Sequence, residues 1–107
     1  PSGQLYDVGS REEITCGRAQ LYSSISGRPE FYDIEIVKTA YQSEIHEKGM
    51  VVKVTDKRLM DLTGGIIQGM SGSPIIQNNK LIGAVTHVFV NDPLRGYGIY
   101  LDWMLQN

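Results

Sequence analysis

Hydrophobic and polar residues alternate along much of this chain, with the two-residue period of a β-strand that buries one face. The alternation is regular over residues 31–37, where tyrosine and isoleucine oppose aspartate and glutamate, and it is looser over residues 14–24. Between these runs, the segment Ser26-Gly27-Arg28-Pro29 is typical of a turn. We therefore expect the two runs to form an antiparallel hairpin.

The pattern changes after a short apolar strand at Met50-Val51-Val52-Lys53-Val54. Thr55 or Asp56 can cap the one or two helical turns that follow. Gly64 is suited to end them, since glycine readily takes the left-handed conformation that closes many helices. This short helix leads directly into a glycine-rich loop.

Strand patterns return after that loop. Residues 75–76 and 81–90 are separated by Asn78-Asn79, a two-residue turn that tolerates positive φ, and together they predict a second hairpin. Residues 96–103 predict a last strand. Residues 1–13 predict an irregular N-terminal segment, and the polar residues 41–48 predict a loop.

These elements amount to about six strands joined by short turns, with no βαβ unit and no internal repeat. The chain has 107 residues, 41% of them hydrophobic, which fits one domain with a core of its own. We therefore predict an all-β fold, a six-stranded antiparallel barrel, as a single domain over residues 1–107.

Charge and cysteine content narrow the range of functions. The formal net charge is -2, and no basic stripe is present, so nucleic acid and anionic membranes are not expected partners. The single cysteine, Cys16, excludes an internal disulfide and is predicted to be a small buried side chain. With only His46 and His87 to join it, no zinc spacing appears, and we expect neither a metal nor a cofactor.

The ends of the chain and its hydropathy lead to two further expectations. No run of about 18 apolar residues and no charged-then-apolar leader occurs, so we expect neither a membrane span nor an export signal within these residues. Because the chain begins with proline, we expect it to be a processed product or a piece of a longer protein.

The glycine-rich loop, residues 64–74, is the segment whose sequence most indicates chemistry. Four of its eleven residues are glycine, which favours a backbone with positive φ or a close approach to another group. If Ser71 is a nucleophile, its own N–H and that of Gly69 can converge on one point and stabilise the oxyanion that forms. This is the arrangement described for the oxyanion hole of serine proteases.

The segment Gly69-Met70-Ser71-Gly72-Ser73-Pro74 resembles the nucleophile loop in the second barrel of chymotrypsin-like peptidases. More closely, residues 63–78 and 83–93 resemble the stage IV sporulation protein B peptidase family. The resemblance is dense over residues 50–105 and weak before about residue 30. It implies a serine endopeptidase that acts through an acyl-enzyme.

By this resemblance the nucleophile is Ser71 rather than Ser73. A supporting acidic residue would fall near Asp56, although an aspartate at such a position is more often a helix N-terminal cap than a catalytic acid. The general base of the family lies in a preceding first barrel that residues 1–107 do not contain. We therefore expect this chain alone to be inactive.

His87 has three readings: a general base, a structural histidine, or a residue at the edge of the substrate site. The resemblance also implies a first specificity site without a charge at its base, which would favour a small or apolar substrate side chain. The residues expected to bind substrate are Gly65, Ile66, Ile67, His87, Val88, Gly96 and Gly98.

Family membership would imply an exported protein that acts between the forespore and mother-cell membranes. It would also imply a preceding PDZ domain, self-cleavage, and signalling to the subunits of a membrane-protease complex. Two other classes stay open: a non-catalytic peptide-binding β-module that pairs with extended strands, and an acyl-transfer hydrolase that uses His87 as its base. Without the first barrel, the exposed docking face also predicts a dimer or a strand swap.

Overall fold

The computed structural model describes residues 6–39, 49–66 and 68–101. Among them one α-helix, α1, spans Lys57–Thr63, and 3₁₀-helices span Arg11–Glu13 and Gln68–Met70. The strands are β1 (Asp7–Val8), β2 (Gly17–Ser23), β3 (Glu30–Thr39), β4 (Met50–Val54), β5 (Pro74–Gln77), β6 (Lys80–Val88) and β7 (Arg95–Tyr100).

Strands β2 to β7 form a closed barrel. The order around it is β6-β5-β2-β3-β4-β7, and β7 pairs with β6 to complete the circle. Every one of these pairings is antiparallel, whereas β1 lies outside the barrel and pairs in parallel with β6. The predicted all-β fold with a six-stranded antiparallel barrel is confirmed, and the predicted irregular N-terminal segment contains the short strand β1.

The alternating pattern decides which side chains fill the barrel. In β3, Tyr32, Ile34 and Ile36 are at most 2% exposed, while Asp33 and Glu35 between them face solvent. Burying each of the three stabilises the fold by about 2 kcal/mol relative to leaving it exposed. The other strands contribute buried residues to the same core: Ala19, Leu21, Met50, Val52, Val54, Ile75, Ile82, Val85 and Tyr100.

Helix α1 begins and ends as its sequence predicts. Asp56 is the N-cap, and its side chain accepts a hydrogen bond from the Arg58 N–H at 2.9 Å. Gly64 closes the helix with a φ of 78°, and its N–H donates to the Met60 carbonyl at 2.8 Å. The helix buries Leu59 in the core. Residues close in sequence therefore determine where α1 begins and where it ends.

Both predicted hairpins are present, although strand bounds differ by a few residues. Asn78 and Asn79 join β5 to β6 with φ values of 53° and 62°, as the turn prediction requires. Strand β2 begins at Gly17 rather than at residue 14. The reason is the buried Gln77, whose amide binds Thr15 in place of a strand partner: the Thr15 N–H donates to Oε1 at 3.1 Å, and Nε2 donates to the Thr15 carbonyl at 2.8 Å.

The expectation that Cys16 is buried is wrong. Cys16 is a free thiol exposed to solvent. It precedes the first residue of β2, Gly17, which has a φ of 135° and turns the chain into the strand. Cys16 thus lies outside the alternation that directs side chains into the core. The predicted loop at 41–48, His46 and residues 102–103 of the last predicted strand lie outside the described residues.

Within the described ranges, no helix is both long enough and apolar enough to cross a membrane. The same ranges contain no group of three or more histidine, cysteine or acidic side chains arranged to hold a metal ion.

Candidate active site

The loop that links α1 to β5 is held to the barrel through its second half. Met70 ends the 3₁₀-helix with its side chain 1% exposed. The Gly72 N–H donates to the Val85 carbonyl at 2.7 Å, and the Val85 N–H donates to the Ser73 carbonyl at 3.0 Å. Gly72 has a φ of 90°, which glycine adopts without strain. This half of the loop is therefore fixed against strand β6.

Ser71, the predicted nucleophile, lies exposed at the turn between the 3₁₀-helix and β5. Its Oγ donates a hydrogen bond to the Thr86 carbonyl at 3.0 Å. Thr86 lies where the register between β6 and β7 shifts, between Val85 and His87. Such a bulge re-aims backbone groups away from the regular ladder. Here the bulge includes Thr86, whose carbonyl accepts the hydrogen bond from the Ser71 hydroxyl.

The two predicted oxyanion donors are the N–H groups of Gly69 and Ser71. The 3₁₀-helix at Gln68–Met70 contains Gly69 and ends directly before Ser71. Gly69 is exposed, and a Cβ on it would meet nothing within 4 Å.

Three of the residues predicted to bind substrate pack together beside the loop. The Ile66 N–H donates to the Pro93 carbonyl at 2.7 Å, and the Ile66 side chain is 2% exposed. Gly65 also lies against Pro93, with no space for a Cβ. Gly96 lies under the Ile66 side chain, because a Cβ on Gly96 would be 3.0 Å from Ile66 Cδ1. Ile66 therefore fills the space between the loop and β7.

The other predicted substrate residues are more dispersed. Gly98 faces the barrel interior, where a Cβ would come within 3.0 Å of Ile75 Cδ1. Val88 is partly buried and packs against the core. His87 is exposed on β6, directly after the residue whose carbonyl accepts the Ser71 hydroxyl. Ile67 lies outside the described residues.

Comparison with known proteins identifies the group to which the chain is related. The SpoIVB peptidase S55 family has a sequence profile that matches residues 2–105. The chain belongs to the SpoIVB peptidase S55 family. No curated protein and no solved structure matches it. The family assignment confirms the resemblance found in residues 63–78 and 83–93, and it extends over the N-terminal part where that resemblance was weak.

In this member of the SpoIVB peptidase S55 family, Asp56 connects helix α1 to strand β3. Its Oδ2 accepts hydrogen bonds from the Asp33 N–H and from Arg58 Nη2, both at 2.9 Å. Its Oδ1 accepts from the Arg58 N–H at 2.9 Å and from Arg58 Nε at 3.1 Å. Hydrogen bonds from the Arg58 side chain are the main cause that lowers the pKa of Asp56 to about 2. These four contacts are those of a helix cap and a local ion pair.

Two parts of the site had no signal in the sequence of this family member. Thr86 is placed against Ser71 by a register shift that depends on β7, and a single sequence does not reveal such a shift. The end of β2, Tyr22–Ser23 with the following Ser24 and Ile25, lines a groove that also contains Ser71. Residues 22 and 71 are too far apart along the chain for periodicity to relate them.

Proposed function

We propose that this chain is the nucleophile-bearing part of a serine endopeptidase, in which Ser71 attacks a peptide carbonyl and forms an acyl-enzyme. One observation carries the proposal: in a chain of the SpoIVB peptidase S55 family, Ser71 lies exposed at the turn of a loop whose second half is fixed to β6. A rigid scaffold that presents one hydroxyl to solvent suits nucleophilic attack, because the reacting oxygen is already positioned.

We propose that the base for the Ser71 hydroxyl lies outside these residues. A serine becomes a strong nucleophile when a neighbouring base takes its proton. In this structure the Ser71 hydroxyl donates a hydrogen bond to the Thr86 carbonyl. A carbonyl oxygen accepts such a bond but is too weak a base to remove the proton. We therefore place the general base in a preceding barrel of the longer protein and assign His87 to the edge of the substrate site.

We assign the oxyanion site to the N–H groups of Gly69, within the 3₁₀-helix Gln68–Met70, and of Ser71, directly after it. Loss of one such donor raises the barrier by about 3 kcal/mol.

A fluorophosphonate probe, which reacts with activated serines, tests this function. We expect little labelling of the 107-residue chain and rapid labelling of a longer protein that includes the preceding barrel. Ser71→Ala should abolish labelling of the longer protein, whereas Ser73→Ala, the matched control two residues away, should keep it. Efficient labelling of the isolated chain, or labelling that survives Ser71→Ala, would contradict the proposal.

A non-catalytic peptide-binding module is the second candidate, and the groove between β2 and the Ser71 loop is the observation that favours it. A module of this kind should retain its affinity for a peptide partner after Ser71→Ala, and the longer protein should show no turnover.

Family membership alone supports the further proposals of export, self-cleavage and signalling during sporulation, together with the predicted PDZ and membrane-protease partners.

A further inference from the structure

Strand β2 and the Ser71 loop separate from each other next to Ser71. Strand β2 pairs with β5 at Gln20 with Ile76 and at Leu21 with Ile75. Beyond Leu21, β2 keeps its β3 partners, and Ser23 pairs with Glu30. On the β5 side, Pro74 has no N–H to continue the ladder. The two chains diverge here and leave a groove.

This groove, the β2 groove, has a volume of about 440 Å³. One wall is formed by Tyr22, Ser23, Ser24 and Ile25, and the other by Gly69, Ser71, Gly72, Ser73 and Pro74. None of these nine side chains carries a charge. The candidate nucleophile and the candidate oxyanion glycine therefore lie in one wall of a neutral groove.

The wall opposite Ser71 is suited to an extended peptide. The edge of β2 that faces the groove has left the β5 ladder, and such an edge can pair with the backbone of a bound strand. The Tyr22 ring packs against Phe31 with the ring centroids 4.8 Å apart, so it presents an ordered aromatic surface. Ile25 packs against the core and fixes the start of the following turn. Backbone pairing beside an aromatic contact would bind neutral residues.

The order of strands places the β2 groove on a definite side of the reacting bond. Strand β5 lies between β2 on one side and β6 on the other, with β7 beyond β6. The predicted specificity residues, Ile66 and Gly96, lie on the β6–β7 side. A substrate that crosses Ser71 would therefore place its acyl half towards β7 and its leaving-group half towards β2.

We propose that the β2 groove binds the leaving-group half of the substrate, an extended segment of uncharged residues that contacts Tyr22. This inference rests on the proposed role of Ser71 as nucleophile. It adds a specificity surface on the other side of Ser71 from the predicted specificity residues Ile66 and Gly96, and it assigns to the β2–β3 hairpin a function that the barrel alone does not require.

The test is an NMR titration of the ¹⁵N-labelled 107-residue chain with three capped hexapeptides of alanine, glycine and valine. One is neutral, one carries a central glutamate, and one carries a central lysine. We expect the neutral peptide to shift the amide signals of residues 22–25 and 69–72. Tyr22→Ala should weaken this binding about fivefold, as expected for the loss of one aromatic contact. Gln20→Ala, a change two residues earlier on the same face of β2, should leave it unchanged.

A second variant keeps the test decisive if Tyr22→Ala unfolds the hairpin. Ser24 is exposed and lines the groove, so Ser24→Arg should shift the preference to the glutamate peptide and Ser24→Glu to the lysine peptide. The proposal would be overturned if the peptides shifted only the amide signals of β6 and β7 or shifted none. It would also be overturned if the two Ser24 variants did not exchange their preference between the glutamate and lysine peptides. Failure of the peptidase function would appear separately, as the absence of fluorophosphonate labelling at Ser71 in the longer protein.

Discussion

Replacement of Asp56 by asparagine tests whether its carboxylate stabilises the fold, as its contacts indicate. Asparagine keeps an oxygen that can cap helix α1 but removes the charge that pairs with Arg58. The pKa of Asp56 is lowered from 3.8 to about 2 in the folded chain, and Asp56 is 6% exposed. A shift of this size corresponds to about 2 kcal/mol of folding free energy at neutral pH. We expect Asp56→Asn to lower the free energy of unfolding at pH 7 by that amount.

The pH dependence gives the test its sign. Because the folded-state pKa lies below the unfolded-state value, the charge stabilises the fold fully above pH 4 and progressively less as the pH falls towards about 2. Urea unfolding of both proteins across this range should therefore give curves that converge at low pH. Asp61→Asn is the matched control, since Asp61 lies on the same helix in an exposed pair with Lys57 at 2.8 Å. Asp61→Asn should lower the free energy of unfolding by at most about 0.5 kcal/mol.

A loss below about 0.5 kcal/mol for Asp56→Asn, or a loss that does not change with pH, would refute this reasoning. In that case the carboxylate would be retained for another purpose. If Asp56 acts in catalysis as well, the same variant of the longer protein should also lose fluorophosphonate labelling at Ser71, whereas Asp61→Asn should not.

Two further predictions concern groups that the barrel holds in place. Gln77→Leu removes the amide that binds Thr15, so it should lower the free energy of unfolding by about 2 kcal/mol and speed amide exchange at Thr15; unchanged exchange would contradict it. Gly65→Ala places a Cβ against the Pro93 backbone at a φ of 136°. Urea unfolding should therefore show a free energy of unfolding lower by about 3 kcal/mol. As its control, Gly69→Ala meets open space and should leave the free energy of unfolding within about 0.5 kcal/mol. Equal stability of the two alanine variants would show that the loop is not packed as described.

The sequence predicted those parts of the fold that depend on neighbouring residues. Alternation identified the buried face of β3, and single residues limited the helix cap to Thr55 or Asp56 and identified the stop at Gly64. The parts that it did not predict depend on contacts between distant residues. Gln77 reads as an ordinary polar residue next to a turn, and its burial follows from its binding to Thr15, 62 residues away. The same holds for Thr86, whose carbonyl reaches Ser71 only because the β6–β7 register shifts there.

The loop that carries Ser71 is held to the barrel on both sides of the serine. Upstream, the Ile66 N–H donates to the Pro93 carbonyl, and downstream, backbone bonds to Val85 hold the chain against β6. Gly69 lies between these two anchors, and a substituent on it would meet no neighbouring atom. Under the proposed function, this barrel fixes the position of the hydroxyl and a docked barrel supplies the base. Activity would then depend on assembly, because a positioned hydroxyl without a base is a weak nucleophile.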